Sequence, residues 1–160
     1  MLQIVWHGRG GQGAFTAARL LGAAYALGGM KENGRTDGGE PEKYALAFPS
    51  FGPERRGAPM RAFTKLSDVL IHDRSEIARA DFVVFLDETL YAGERDALVA
   101  GPDDYAIAEK FRLPVINTIM LGRLAKKIDM PAEHIAQGIR LVMPGRMHEK
   151  NMLAVREAMK

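Results

Sequence analysis

Residues 2–13 read LQIVWHGRGGQG, and this stretch decides how the rest of the chain folds. Its first part is apolar and predicts a buried β-strand, and a helical pattern begins directly after the last glycine. Gly8, Gly10 and Gly13 have the G-x-G-x-x-G spacing of a tight turn between a strand and a helix. Such a turn directs backbone N–H groups and the positive end of a helix dipole at one point. That point suits a phosphate, a carboxylate or a closely approaching backbone.

Predicted helices and strands alternate along the rest of the chain. The pattern predicts an amphipathic helix over residues 14–27, and the apolar run FVVFL at residues 82–86 predicts a central strand that ends at Asp87. We also predict strands at residues 44–48, 60–65 and 113–116, a helical turn at 75–80, and helices at 105–110 and from residues 117, 131 and 151 onwards. This order predicts an α/β fold: one Rossmann-like, three-layer domain over residues 1–160, with a mostly parallel sheet flanked by helices.

Length and composition exclude several classes of protein. A chain of 160 residues, 47% of them hydrophobic, is expected to form one core and one domain. No apolar run reaches the length of a membrane span and no export leader is recognisable, so we expect a cytoplasmic protein. The net charge of +2 is too balanced to indicate a nucleic-acid partner. Without cysteine, the chain cannot form a disulfide or ligate an iron–sulfur cluster with its own thiolates.

The segment PSFGPERRGAP at residues 49–59 predicts a shaped loop, because its three prolines exclude both a helix and a central strand. It presents Arg55 and Arg56 side by side, and arginine forks bind phosphate or carboxylate in a bidentate manner. The alternative is that one arginine pairs with Glu54 or another carboxylate and that the loop is a rigid surface for protein contact. Both interpretations make the loop an interface.

The glycine turn also has more than one interpretation. A nicotinamide or flavin site needs an acidic residue at the end of the second strand, and the second predicted strand runs into Phe48 and Pro49 instead. The glycines could also serve only tight packing between strand and helix. His7 could be an acid, a base or a ligand, although a histidine beside such a turn more often hydrogen-bonds within the loop. The other histidines lack the spacing of a metal site, and no complete catalytic constellation is present.

Two motifs together resemble a known family. WHGRGGQG followed by an alanine-rich helix, and then AFPSFGPERRGAPMRAF, are similar to the gamma subunit of the 2-oxoacid:ferredoxin (acceptor) oxidoreductases, of which pyruvate synthase is typical. FVVFLDETL and VINTIMLG extend the resemblance over most of the chain. The polar residues 30–43 look like a loop insertion relative to the family.

The resemblance implies a subunit of an enzyme complex that converts a 2-oxoacid and coenzyme A to acyl-coenzyme A and carbon dioxide. Thiamine diphosphate, magnesium and [4Fe-4S] clusters would belong to partner subunits of the alpha, beta and delta types, and electrons would leave to ferredoxin or another acceptor. This chain would bind no cofactor alone, hold no metal and supply no catalytic residue. It would help to bind coenzyme A as a shared substrate. The residues implied to contact the phosphates of coenzyme A are Gly8, Gly10, Gly11, Gln12, Gly13, Arg55 and Arg56.

Two other functions fit the residues themselves. The chain could be an independent nucleotide-binding dehydrogenase, in which case a flavin or nicotinamide should accompany it. It could also be a scaffold subunit that contacts no ligand, in which case Arg55 and Arg56 would serve assembly of the complex.

Overall fold

A computed structural model describes residues 1–28, 42–50 and 55–160. The strands are β1 (Leu2–Arg9), β2 (Tyr44–Pro49), β3 (Pro59–Ser67), β4 (Phe82–Phe85) and β5 (Leu98–Val99). The helices are α1 (Ala14–Leu27), α2 (Pro102–Lys110), α3 (Asn117–Lys127), α4 (Ala132–Val142) and α5 (His148–Ala158). Short 3-10 turns occupy Glu88–Leu90 and Gly145–Met147.

The five strands form one sheet in the order β2-β3-β1-β4-β5. β1 lies at the centre, parallel to β4 on one side and antiparallel to β3 on the other. β4 and β5 are parallel, whereas β2 and β3 are antiparallel because residues 50–58 between them are too few for a crossover connection. The predicted α/β fold is confirmed, and the parallel part of the sheet is completed by an antiparallel hairpin.

The helices cover the face of the sheet to which Ile4 and Trp6 point. Helix α1 packs against β1, β2 and β3, and it also contacts α3. Helices α4 and α5 form an outer layer, α4 against α1 and α5 against α3. Alternate residues of β1 and β3 are buried in this core, as the two-residue period of a strand requires.

The opposite face of the sheet is covered by residues 68–81, which contain no helix or strand. Val5, Phe63 and Ile77 form a small apolar cluster there. Lys65 lies on the same face and is fully buried. Its ammonium donates hydrogen bonds to the backbone oxygen and a carboxylate oxygen of Asp73, both at 3.1 Å.

Two predicted elements are wrong. Residues 75–80 form no helical turn, because the side chain of Asp73 accepts hydrogen bonds from the N–H and hydroxyl of Ser75 and this local bonding competes with helix formation. Residues 113–116 form no strand. Leu113 and Ile116 are apolar because they are buried between α2 and α3, and Pro114 lacks the N–H that a central strand would need.

Other predicted boundaries are nearly correct. Helix α5 begins at His148, three residues before the predicted start at residue 151, and α2 begins at Pro102 rather than near residue 105. The two-residue strand β5 was not predicted, because so short an element has no periodicity. Most of the predicted insertion at residues 30–43 lies outside the described residues. Among the helices of the described ranges, none has the length and apolarity that crossing a bilayer requires.

The buried hydroxyl of Thr64 predicts a measurable loss of stability. It accepts a hydrogen bond from Trp6 Nε1 and donates one to the Ala18 carbonyl, both at 3.0 Å. We expect Thr64→Val to lower the free energy of unfolding by about 2 kcal/mol, because the Trp6 indole N–H is then buried without an acceptor and the Ala18 carbonyl keeps only its hydrogen bond within α1. The measurement is urea denaturation of the purified chain. Thr64→Ser keeps the hydroxyl and is the matched control, and a Val variant as stable as the Ser variant would contradict this assignment.

Candidate anion site at the glycine turn

The glycine turn joins the end of β1 to the start of α1 within four residues, Gly10 to Gly13. Gly11 and Gly13 have φ angles of 95° and 82°, in the left-handed region that glycine adopts without strain. Gln12 hydrogen-bonds back to Arg9 through both its backbone N–H and its side chain. Its N–H donates to the Arg9 carbonyl at 3.0 Å, and its side-chain oxygen accepts from the Arg9 N–H at 2.6 Å.

The arginine segment, residues 55–58, lies directly against this turn. The Gly10 N–H donates to the Ala58 carbonyl at 2.9 Å, and the Gly57 N–H donates to the Gly10 carbonyl at 3.0 Å. A Cβ atom on residue 10 would lie 2.3 Å from the Arg55 carbonyl oxygen, so glycine is required for this approach. The structure therefore brings together the glycine turn and the arginine pair, which are 42 or more residues apart in the sequence.

Arg55 and Arg56 are both exposed beside the turn. Within residues 1–28, 42–50 and 55–160, neither guanidinium makes a hydrogen bond or an ion pair. Glu54, the alternative partner considered for them, lies outside the described residues. Two adjacent guanidiniums that are unpaired among the described residues form a surface that favours an anion.

The candidate residues of the turn differ in what they offer to such an anion. Gly8 lies in β1 and pairs with Met60 of β3, and the N–H of Gly10 already donates to Ala58. In the described part of the chain, the N–H groups of Gly11 and Gly13 have no hydrogen-bond acceptor. They adjoin the first turn of α1, where N–H groups also lack partners within the helix. As far as residues 1–28, 42–50 and 55–160 are concerned, the free donors are thus at Gly11, Gly13 and the start of α1.

Asp87 fixes the shape of the turn from the neighbouring strand. One carboxylate oxygen accepts hydrogen bonds from the side chains of Gln12 at 2.9 Å and Arg9 at 3.2 Å. The other accepts from the N–H of Thr89 at 3.0 Å and from its hydroxyl at 2.6 Å. The sequence predicts Asp87 at the end of a central strand, but it predicts no role for Arg9 or Thr89. Two sequence signals point to these residues: Arg9 lies inside the glycine run, and Thr89 follows Asp87 by two residues.

These contacts keep Asp87 ionised. The hydrogen bond from the Thr89 hydroxyl is the largest cause that lowers the pKa of Asp87, and the Gln12 amide, the Thr89 N–H and the charge of Arg9 lower it further. Partial burial of the carboxyl opposes them by raising its pKa. The Gln12 side chain is therefore occupied by protein contacts, and its contribution is to position the turn.

His7 precedes the turn and lies on the opposite face of the sheet from α1. Its ring stacks on Phe85 with a centroid distance of 4.5 Å and an interplanar angle of 9°. Burial lowers the pKa of His7, Glu94 raises it in part, and Arg61 lowers it again. In the ranges that the structure describes, no hydrogen bond to the ring holds it within the loop. The expectation of such a bond is not met, and ring stacking positions His7 instead.

The described residues include no cluster of histidine and acidic side chains suited to a metal ion. The chain also contains no cysteine, so it offers no thiolate for an iron–sulfur cluster. The N–H groups of the turn and the exposed guanidiniums of Arg55 and Arg56 suit an anion or a phosphate-bearing ligand.

A family model described as pyruvate ferredoxin/flavodoxin oxidoreductase matches residues 3–103, which include the turn and the arginine segment. The chain belongs to this family. Pyruvate synthase subunit PorC of Methanothermobacter thermautotrophicus is 35% identical, over 99% of this chain and 94% of that protein. The pyruvate/ketoisovalerate oxidoreductases common subunit gamma of Pyrococcus furiosus is also 35% identical, over 99% of this chain and 95% of that protein.

The fold of this family member also matches a solved structure. The crystal structure of pyruvate oxidoreductase subunit PORC from Thermotoga maritima superposes with a TM-score of 0.74 at 31% identity. The match covers 99% of this chain and 94% of that one. The resemblance to gamma subunits of 2-oxoacid:ferredoxin oxidoreductases, first recognised from two motifs, is confirmed.

The close approach at Gly10 predicts a specific defect in Gly10→Ala. The new methyl group would collide with the Arg55 carbonyl, so residues 55–58 must move and two backbone hydrogen bonds are lost. We expect the free energy of unfolding to fall by about 2 kcal/mol and the Gly57 amide to exchange faster with solvent. Urea denaturation and hydrogen exchange measure the two effects. Gly145→Ala is the matched control because its Cβ meets open space. Equal stability of the two variants would refute the requirement for glycine.

The network around Asp87 predicts a pH-dependent loss of stability in Asp87→Asn. Since the pKa of Asp87 is lowered in the folded protein, its carboxylate stabilises the fold above the usual aspartate pKa, and this contribution is lost as pH falls through the lowered value. At neutral pH we expect a deficit of about 1 to 2 kcal/mol relative to wild type. The deficit should shrink below pH 4 in urea titrations at several pH values. Asp68→Asn, at an exposed aspartate, is the control. A deficit that does not change with pH would rule out the ionised network.

Proposed function

We propose that this chain is the gamma subunit of a 2-oxoacid:ferredoxin oxidoreductase complex and that its glycine turn and arginine segment bind the phosphates of coenzyme A. Family membership supports the first part. One observation carries the second: Arg55 and Arg56 are exposed and unpaired among the described residues, directly beside a turn with free N–H groups. The reaction of the complex is the coenzyme A-dependent oxidative decarboxylation of a 2-oxoacid, pyruvate or a related one, to acyl-coenzyme A and carbon dioxide.

The charges of coenzyme A match this surface. The molecule carries a diphosphate and a ribose phosphate, separated by a sugar. The N–H groups of Gly11 and Gly13, together with the positive end of the α1 dipole, suit one phosphate group. The guanidiniums of Arg55 and Arg56 suit a second one, because each can donate two parallel hydrogen bonds to phosphate oxygens.

The redox chemistry of the proposed complex lies on other subunits. Thiamine diphosphate with magnesium would supply the decarboxylation chemistry on alpha and beta subunits, and [4Fe-4S] clusters on further subunits, including a delta type, would pass electrons to ferredoxin or another acceptor. This chain contains no cysteine to ligate a cluster. Its residues bind and position a substrate, and we assign none of them a step in bond making.

Asp87 argues against an independent dehydrogenase. It follows β4, the parallel neighbour of β1, and so occupies the end of a strand where an acidic residue could hold ribose hydroxyls. Its two oxygen atoms already accept four hydrogen bonds from Arg9, Gln12 and Thr89. A carboxylate offers about four acceptor positions, so little capacity remains for a ribose.

Charge reversal tests the proposed site. In the intact complex, we expect Arg55→Glu with Arg56→Glu to raise the Michaelis constant for coenzyme A at least tenfold, since two favourable phosphate contacts become repulsive. The assay is viologen reduction with a 2-oxoacid under anaerobic conditions. Arg74→Glu with Arg79→Glu makes the same change of charge at two exposed arginines outside the site and is the control.

The same experiment separates the alternatives. A scaffold role predicts that the Arg55 and Arg56 variant fails to assemble, which size-exclusion chromatography detects. An unchanged Michaelis constant for coenzyme A in an assembled complex would refute phosphate binding at this site. A stoichiometric flavin or nicotinamide on the purified chain would support the dehydrogenase instead.

A further inference from the structure

A cavity of about 380 Å³ lies at the edge of the sheet, where β5, the first turn of α2, the middle of α3 and the last turn of α5 meet. Its size falls at the lower end of small-molecule sites. Neither the glycine turn nor the arginine segment contributes a residue to its lining. The cavity is therefore a region of the molecule separate from the candidate anion site.

One wall of this cavity is an ion pair between Asp104 and Arg123. The side chain of Asp104 is only 5% exposed, and its Oδ2 accepts hydrogen bonds from Arg123 Nη1 at 2.7 Å and from the Gly101 N–H at 2.9 Å. Arg123 Nη1 also donates to the Val99 carbonyl at 3.0 Å. These contacts fix both charged side chains before any ligand arrives, which reduces the entropy that binding would cost.

Both members of the pair keep unused hydrogen-bonding capacity. Across residues 1–28, 42–50 and 55–160, Nε and Nη2 of Arg123 have no acceptor, and Oδ1 of Asp104 has no donor. Nε and Nη2 form one edge of the guanidinium, which can hold a carboxylate through two parallel hydrogen bonds. The free oxygen of Asp104 can accept a hydrogen bond from an ammonium group. The wall thus offers a donor edge and an acceptor side by side.

Two more carboxylates line the cavity, and they differ in how far their charge is balanced. Glu157 accepts hydrogen bonds from Lys110 at 3.1 Å and from Lys160 at 2.6 Å. Asp103 is exposed and has no ion pair in the ranges that the structure describes. These carboxylates repel a ligand that is only an anion, and Arg123 repels one that is only a cation. The cavity therefore suits a molecule that carries both charges.

The rest of the lining is partly apolar. Val99, Ile107 and Ala158 are half-buried and contribute aliphatic surface. A small aliphatic group of a ligand would gain free energy by leaving water for this surface. An α-amino acid combines the three features that the cavity matches, because its carboxylate, its ammonium and its side chain are joined to one carbon atom.

We propose that this cavity binds a free α-amino acid with an aliphatic side chain. The Nε–Nη2 edge of Arg123 holds its carboxylate, and the carboxylates of Asp103 and Asp104 hold its ammonium. Its side chain packs against Val99 and Ile107. The inference goes beyond the proposed function and does not depend on it, since the two sites share no residue.

Three probes of matched shape test the proposal by chemical-shift titration of the ¹⁵N-labelled full chain. L-Leucine carries both charges, 4-methylpentanoate lacks the ammonium, and 3-methylbutylamine lacks the carboxylate. We expect L-leucine to bind with a dissociation constant below about 1 mM and to shift the amide signals of residues 101–104. The other two probes should bind at least about tenfold more weakly, because each loses one charge-assisted contact.

Two variants assign these contacts to residues. Arg123→Lys keeps a positive charge beside Asp104 but removes the Nε–Nη2 edge, and Asp103→Asn removes an exposed carboxylate. We expect each to weaken L-leucine binding at least about fivefold. Arg74→Lys and Asp68→Asn make the same substitutions at exposed positions outside the cavity and are the controls.

Several results would overturn the inference. L-Leucine could cause no saturable shift, or bind equally well to both variants and to the controls. Equal affinity for 4-methylpentanoate would show an anion site only, and equal affinity for 3-methylbutylamine would show a cation site only. None of these results bears on coenzyme A, which the charge reversal at Arg55 and Arg56 tests separately.

Discussion

The candidate site depends on one close contact between backbones, that of Gly10 with residues 55–58. Two hydrogen bonds hold it, and any side chain on residue 10 would prevent it. Through this contact, the turn after β1 and the loop before β3 become one surface. Because the bonds join backbone to backbone, the side chains of Arg55 and Arg56 remain outside them. The same glycine thus explains both the packing of the turn and the availability of the guanidiniums.

A second layer of contacts gives the turn its rigidity. Asp87 extends from the end of β4 and holds Gln12 and Arg9, so the turn is supported from the neighbouring strand as well as from the arginine segment. β1 itself is hydrogen-bonded on both sides, to β3 and β4. The donors at Gly11 and Gly13 are therefore fixed before any ligand arrives, which reduces the entropy that binding would cost.

Sequence patterns predicted the part of the structure that depends on local information. The apolar run, the glycine spacing and the stripe of residues 14–27 predicted β1, the turn and α1, and they are confirmed. The contact between Gly10 and Arg55 could not be predicted from the chain alone, because nothing in either motif specifies the distant partner. The family resemblance related the two motifs without giving their geometry.

The errors have physical causes as well. Residues 113–116 are apolar because they are buried, and burial alone does not distinguish a strand from an irregular connection. At residues 75–80, hydrogen bonds between Asp73 and Ser75 outweigh helix propensity. In the site, the contact of Gln12 with a ligand stays a prediction, and the structure places its side-chain amide against Asp87. Only side-chain geometry could distinguish a ligand contact from a contact that supports the turn.

The buried Lys65 has a consequence for the register of the segment that covers it. Residues 68–81 have no repeating pattern of backbone hydrogen bonds, so apolar contacts alone would permit them to slide over the sheet. A shift of one residue would move the Asp73 carboxylate away and leave an ammonium buried without a counter-charge, which is far more costly than a lost apolar contact. The pKa of Asp73 is lowered to about 2, first by its hydrogen bonds from Ser75 and then by Lys65, so the carboxylate stays charged through mild acid. One ion pair therefore selects a single alignment for a segment that its backbone leaves unspecified.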